Sequence, residues 1–262
     1  MKNRSLYRKI YIVLVLSGIL TVSFFFLLIS GKTKSIDSTF LNDNSSSSIH
    51  TTIPTVSPSS NPESTILPTQ DTETILPDTT SFDSFLKIVN KSSNLTPDYI
   101  PVDLVDVNVQ QYDRQQLRSD AARELENMFS AASNDGISLY LVSGYRSYEM
   151  QEKLQKYYQD EYGEIEANRI DCIPGAAEHQ LGLAVDLCTT DHIDELEVEF
   201  EETDAYKWLI AHCYEYGYIL RYPKGKEEIT GIKFSPWNFR YVGKEYAQKI
   251  SESGLTMEEY FQ

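Results

Sequence analysis

Apolar positions recur in two periods from about residue 82 onward, and these periods predict the elements. Over residues 119–132, Ala122, Leu125, Met128 and Phe129 fall on one face at helical spacing. Residues 147–162 and 203–216 also read as helices. In the second of these, Asp204 near the start and Gly217 past the end suit the caps a helix needs. A last helix begins at 243–251. Short apolar runs at 138–142, 182–187, 218–222 and 239–242 read as strands, with 182–187 alternating small and apolar residues as it enters the core. Helices ahead of a run of strands predict an α+β fold, with helices packed on a small, mainly antiparallel sheet.

The first 81 residues follow other rules. Residues 1–9 carry Lys2, Arg4, Arg8 and Lys9, and the uncharged apolar run 10–30 follows. Its length, about 20 residues, suits a membrane-spanning helix at about 1.5 Å rise per residue. The basic flank predicts a cytoplasmic N-terminus, so the rest of the chain is expected outside the membrane. A cleaved signal peptide is the rival reading, but no Ala-x-Ala site follows the run. Residues 31–81 are rich in Ser, Thr and Pro and poor in aromatics. Such a segment buries too little apolar surface to offset its ordering entropy, so it reads as a flexible linker. Residues 82–262 are the globular domain.

Charge narrows the partners. Lys and Arg number 23 against 39 Asp and Glu, a net charge of −16. Nucleic acid is excluded as a general partner, because that binding needs a basic face. Adhesion of the domain surface to anionic lipid is disfavoured for the same reason. The acidic run 194–202 reads as a solvated face. Cys172, Cys188 and Cys213 are odd in number and lack C-x-x-C spacing, which disfavours a cysteine zinc knuckle. Three buried thiols, or one bridge and a free thiol, both remain open.

The densest chemical signal lies at residues 174–186, where His179 and Asp186 stand seven residues apart around a turn leading into a strand. Imidazole and carboxylate are both good zinc ligands, although a lone His near an Asp is more often structural. His179-x-x-Gly182-x-Ala184-x-Asp186 resembles the zinc motif of the VanY-type D-alanyl-D-alanine carboxypeptidases of bacterial cell walls. Further blocks match in the same order: Ser143-Gly-Tyr-Arg-Ser147 with Gln151, residues 216–223, 224–232, and Pro236-Trp237 with residues 240–243. The resemblance spans roughly residues 82–261 and implies a zinc D,D-peptidase-like fold.

The resemblance also implies roles. In that family a zinc ion is held by His, Asp and a second His, and a Glu is the base for the water that attacks the bond before a C-terminal D-alanine. By position, His179 and Asp186 are the first two ligands and Arg146 is the substrate arginine, with Gln151 beside it. The third block departs from the pattern. The family reads Glu-Pro-Trp-His-x-Arg, and this chain reads Ser235-Pro-Trp-Asn238-Phe-Arg240. Ser235 stands at the base position, Asn238 at the second His position, and Ala177 where the family has Ser before Glu-His. A serine hydroxyl is no base at neutral pH, and loss of a general base costs about 10²- to 10⁴-fold in rate. An amide oxygen is a poor zinc donor beside imidazole.

Other residues offer little compensation. His50 lies in the linker, and His212 reads as an ordinary helix imidazole one turn from Trp208. His192 could reach the site only if its acidic loop swung inward. Glu178 is either a displaced base or a carboxylate facing away from the metal. Arg146 has the bland alternative of pairing with an internal carboxylate, and Gln151 of being solvated. Trp237 and Tyr222 read as core residues, and Arg240 as a structural pair or surface charge. Two functions follow. The domain is a relative that binds stem peptides ending in D-Ala-D-Ala, or a cell-envelope protein, with zinc weak or absent and little hydrolysis. Alternatively, it is an active zinc D,D-carboxypeptidase with a rewired site.

Overall fold

The computed structural model describes residues 76–170, 173–190 and 196–262. A short hairpin, β1 (Leu104–Asp106) and β2 (Gln116–Arg118), leads directly into helix α1 (Ser119–Asn134). Strand β3 (Tyr140–Ser143), helices α2 (Tyr148–Tyr162) and α3 (Glu164–Ile170), and a 3-10 turn at Glu178–Leu181 follow. Next come β4 (Ala184–Cys188), a 3-10 turn at Val198–Glu202, α4 (Asp204–His212) and β5 (Tyr218–Leu220). The chain closes with α5 (Glu227–Thr230), β6 (Asn238–Tyr241), α6 (Lys244–Ser253) and α7 (Met257–Tyr260).

The central sheet has the order β3-β4-β6-β5 and is antiparallel throughout. The expected α+β architecture is therefore present. Helices and strands alternate along the chain, however, whereas the sequence suggested helices first. Every one of these connections still produces antiparallel pairing.

Period-2 alternation divides the sheet's two faces. Val185 and Leu187 of β4, with Phe239 and Tyr241 of β6, join α1 residues Ala122, Leu125 and Met128 and α4 residue Leu209 in the main core. Phe129 is half-buried at its margin. Full burial of one such aliphatic side chain stabilises by about 1.5–3 kcal/mol. The other positions of the same strands, Asp186, Asn238 and Arg240, are equally buried yet polar. Burying polar groups is costly unless they are hydrogen-bonded, so they mark where this fold spends stability on something other than packing. A second core joins Ile219 and Val242 to Ala247, Ile250 and Met257 of the C-terminal helices.

The helix ends correct the sequence reading in detail. α2 starts where expected, with Ser147 accepting a hydrogen bond from the Met150 N–H. α4 is capped by Thr203, whose hydroxyl accepts from the Tyr206 N–H; Asp204 is the first helical residue. The expected helix 203–216 ends at His212 and tightens into a 3-10 turn over Cys213–Tyr216. Gly217 then stops it at φ 81°. A Cβ there would lie 2.7 Å from the Tyr241 ring and 3.1 Å from backbone, so only glycine fits this stop.

Cys188 and Cys213 are buried. Burial pushes the Cys213 thiol up to about 12, which leaves it inert. Cys172, His192, His50, the apolar run 10–30 and the linker up to residue 75 lie outside the described residues. Among the described residues no helix is long and apolar enough to cross a membrane.

Candidate functional site

Sheet register builds the site. Ser143 on β3 pairs with Asp186 on β4, and Asp186 pairs with Asn238 on β6. Directly paired residues share a face, so three polar side chains form one row across the sheet. The 3-10 turn Glu178–Leu181 then carries His179 to this row. Gly182 ends that turn at φ 65°, and a Cβ there would lie 2.8 Å from the Leu104 side chain and 3.3 Å from the Arg118 backbone. The chain thus reverses tightly between His179 and β4, bringing residues 179 and 186 together.

His179 is 5% exposed and Asp186 4% exposed. His179 Nδ1 lies 2.7 Å from the Gly144 carbonyl, which can only accept, so the ring proton sits on Nδ1. That fixes the tautomer and leaves Nε2 facing the site, 3.3 Å from an Asp186 oxygen. A backbone carbonyl orienting the outer nitrogen of an imidazole is the usual support of a metal-binding histidine.

Asn238 completes the row. Its amide nitrogen donates to Asp186 Oδ1 at 2.9 Å and lies 3.2 Å from His179 Nε2. The amide NH₂ therefore sits between the two groups that would hold a cation. Its oxygen is buried and accepts no hydrogen bond among the described residues. Likewise, the described residues contain no group of three or more His, Cys, Asp or Glu arranged to hold a metal.

Arg146 is buried beside this row. It donates to Gln151 Oε1 at 2.7 Å, to Ser143 Oγ at 3.2 Å and to Asp186 Oδ2 at 3.5 Å. Gln151 is 1% exposed, so the solvated alternative for it is wrong. It faces inward one turn into α2 and orients the guanidinium. Burial alone pushes the Asp186 carboxyl up. The charge His179 carries when protonated, the Arg146 guanidinium and the Asn238 amide act against that and hold it below the usual carboxylate range.

Ser235 is also buried, and its hydroxyl donates to the Lys233 carbonyl at 2.9 Å. Among the described residues no basic group engages it. The Asn238 N–H donates to the Ser235 carbonyl at 3.1 Å, closing a four-residue turn with Pro236 at its second position, where proline is favoured. One turn thus delivers both positions 235 and 238. Ala177 precedes the 3-10 turn as its cap and is buried, without a hydroxyl to bond the turn's free N–H groups.

Glu178 faces away from the row. Its Oε1 lies 2.8 Å from Arg221 Nε and 2.8 Å from Arg240 Nη1, and all three residues are buried. The displaced-base alternative therefore fails, and Arg240 is a structural pair. Tyr222 is buried, and Trp237 packs against the main core. His212 stacks on Trp208 with ring centroids 4.8 Å apart and bonds Glu215. The Gly144 carbonyl and the Ser143 hydroxyl escaped the sequence reading as individual groups. The only available signal was their place inside the Ser-Gly-Tyr-Arg block.

Comparison with known proteins fits this geometry. The family model for VanY, D-alanyl-D-alanine carboxypeptidase, matches residues 114–244. YodJ of Bacillus subtilis (strain 168) is 40% identical over 185 residues, which cover 69% of this chain and 68% of YodJ. The structure of the LdcB LD-carboxypeptidase, solved to explain peptidoglycan recognition, aligns with a TM-score of 0.65 at 40% identity, covering 69% of this chain and 86% of LdcB. A variant of the vancomycin-resistance D,D-pentapeptidase VanY in complex with Zn(II) aligns with a TM-score of 0.58 at 34% identity, covering 69% of this chain and 99% of that one.

Proposed function

Since the chain belongs to the VanY family of D-alanyl-D-alanine carboxypeptidases, we propose that its domain binds peptidoglycan stem peptides ending in D-Ala-D-Ala and hydrolyses them little. The observation that carries the second half is the Asn238 amide nitrogen between His179 Nε2 and Asp186 Oδ1. A catalytic zinc is held by three strong donors and keeps one position for water. Here one imidazole and one carboxylate remain, and the third position presents an amide whose N–H bonds already satisfy the pair. This donor set does not fit a resident catalytic zinc. Ser235 adds no base, because its hydroxyl is committed to a carbonyl.

The binding half rests on Arg146. Gln151 and Ser143 hold its guanidinium in place beside the row, which suits recognition of a peptide's C-terminal carboxylate. In this reading the uncharged run 10–30 anchors the protein in a membrane, and the domain works on the outer side at the wall.

A second reading is an active zinc carboxypeptidase. It is favoured by the His179 and Asp186 pair, which keeps a carbonyl-oriented imidazole turned toward the carboxylate. Two measurements on the purified protein decide between them: bound zinc after preparation without added metal, and release of D-alanine from a peptide ending in D-Ala-D-Ala. We expect less than one zinc per chain and little enzymatic release. Stoichiometric zinc would raise His192 as a hidden ligand, and turnover abolished by His179→Ala would establish the second reading.

A further inference from the structure

A groove runs along the outer face of α1, remote from the residues of the candidate site. Two adjoining hollows of about 560 and 340 Å³ share Gln110, Phe129 and Ser133, so they form one continuous cleft. Its size falls in the range of ligand sites, about 300–1,000 Å³.

The lining is unusual for this chain. Positions 126, 129, 130, 133 and 134 of α1 follow the i, i+3, i+4, i+7, i+8 spacing of a single helix face. On a protein with 24% charged residues and net charge −16, this face carries one charge. That charge, Glu126, is engaged, because its carboxylate accepts the Asn108 N–H at 2.8 Å. The rest are Phe129, Ser130, Ser133 and Asn134, with the Gln110 carboxamide across the cleft. Serine and asparagine are poor helix formers, and a merely solvated helix face is better built from Lys, Glu or Gln. Helix stability therefore does not explain the stripe.

The chemistry of the lining selects an occupant. A protein-like or drug-like ligand wants a largely apolar cleft, and a nucleic acid wants a basic one. Carboxamides offer paired donors and an acceptor, and hydroxyls offer both, all without charge. That inventory matches a neutral polyhydroxylated molecule, whose hydroxyls also donate and accept. The half-buried Phe129 ring supplies the apolar surface on which sugar C–H groups rest. We propose that this groove is a binding site for a neutral oligosaccharide.

The groove also lies on the same strand as the candidate site. Leu139 lines it immediately before β3, and Ser143 at the other end of β3 belongs to the polar row. Four residue steps of strand separate them by about 13 Å. The irregularity between Leu141 and Ser143 turns Ser143 to the face opposite α1, so the groove and the row lie on different faces of the sheet and sugar binding does not depend on the peptide reading.

The test is titration calorimetry of the full-length protein with a tetramer of N-acetylglucosamine, in a detergent without a sugar headgroup. We expect saturable binding, weakened at least about tenfold by the paired substitutions Gln110→Ala and Asn134→Ala. Both residues are exposed, so the thermal midpoint should not move. Arg146→Lys should leave the affinity unchanged, which separates this site from the polar row. Absence of binding at about 10 mM tetramer, or equal binding by the doubly substituted protein, overturns the proposal.

Discussion

Asn238 concentrates the chemistry of this molecule in one amide. Its nitrogen supplies, without charge, part of the stabilisation that a cation would give to His179 and Asp186. Replacing it should expose what the row retains. Asn238→His returns an imidazole to the same strand position, so zinc affinity should rise measurably in a competition titration, while D-alanine release stays near background because no base is present. Adding Ser235→Glu returns a carboxylate through the same four-residue turn, and hydrolysis should then rise by about 10²- to 10⁴-fold over Asn238→His alone. Ligand and base act as a unit, so the two gains should not add. Ala177→Ser contributes further if that hydroxyl contacts substrate; its seat ahead of the 3-10 turn also allows it merely to cap. No rise in release from the doubly substituted protein would mean that the turn no longer aims positions 235 and 238 at the row. The meeting of His179, Asp186 and Asn238 was legible in the sequence because each sits in a short ordered block. The inward aim of Gln151 and the Gly144 carbonyl behind His179 were not, because both depend on how β3, α2 and the turn at 178–181 come together in space.

Elements were legible where a helical period or an apolar run marked them. The 16-residue α1 and 15-residue α2 each bury one face over several turns, so periodicity found them. The three-residue strands β1 and β2 have no pattern of their own; Leu104 and Leu117 are placed by pairing and by contact with Gly182 and the core. The short C-terminal helix α7 was missed too, although Thr256 and Glu259 form a reciprocal capping box at its start. This helix matters to the site's support, because Glu258 reaches into the buried pair of Arg221 and Glu178 and bonds Arg221 at 2.5 and 3.0 Å. Burial raises the Glu258 carboxyl, and Arg221 outweighs burial and holds it below its ordinary value. A carboxylate depressed in the folded state stabilises above its unfolded pKa, about 4.3, and loses that contribution as pH falls through the folded value. Glu258→Gln should therefore cost about 1.5–3 kcal/mol at pH 7 by urea unfolding. The gap to the parent protein should narrow as pH drops below about 4. A gap independent of pH would show that packing, and not the ion pair, holds α7 down.

At the scale of the whole molecule, three physically different segments are joined in series. The domain is acidic and builds its own core, and with a net charge of −16 on the chain it has no electrostatic reason to adhere to an anionic membrane. In the proposed anchored reading, firm membrane association comes from residues 10–30, an uncharged run whose length as a helix, about 30 Å, would match a hydrocarbon core. The basic residues Lys2, Arg4, Arg8 and Lys9 favour retention of that flank in the cytoplasm. In the same reading the segment 31–81, about 50 residues, sets the working distance. A flexible chain of that length would span about 40 Å on average, which in this reading lets the domain search a layer beyond the membrane surface without being released. We expect the full-length protein to stay with membranes through a carbonate wash, which strips charge-held proteins but not spanning helices. Protease added outside intact cells should then free a fragment that starts near residue 82, because the Ser, Thr and Pro-rich linker offers cleavable backbone and the folded domain does not. Fragment masses separate this from the rival reading. A soluble chain in the medium, shortened at its N-terminus without added protease, would identify the apolar run as a cleaved leader and remove the tether from the argument.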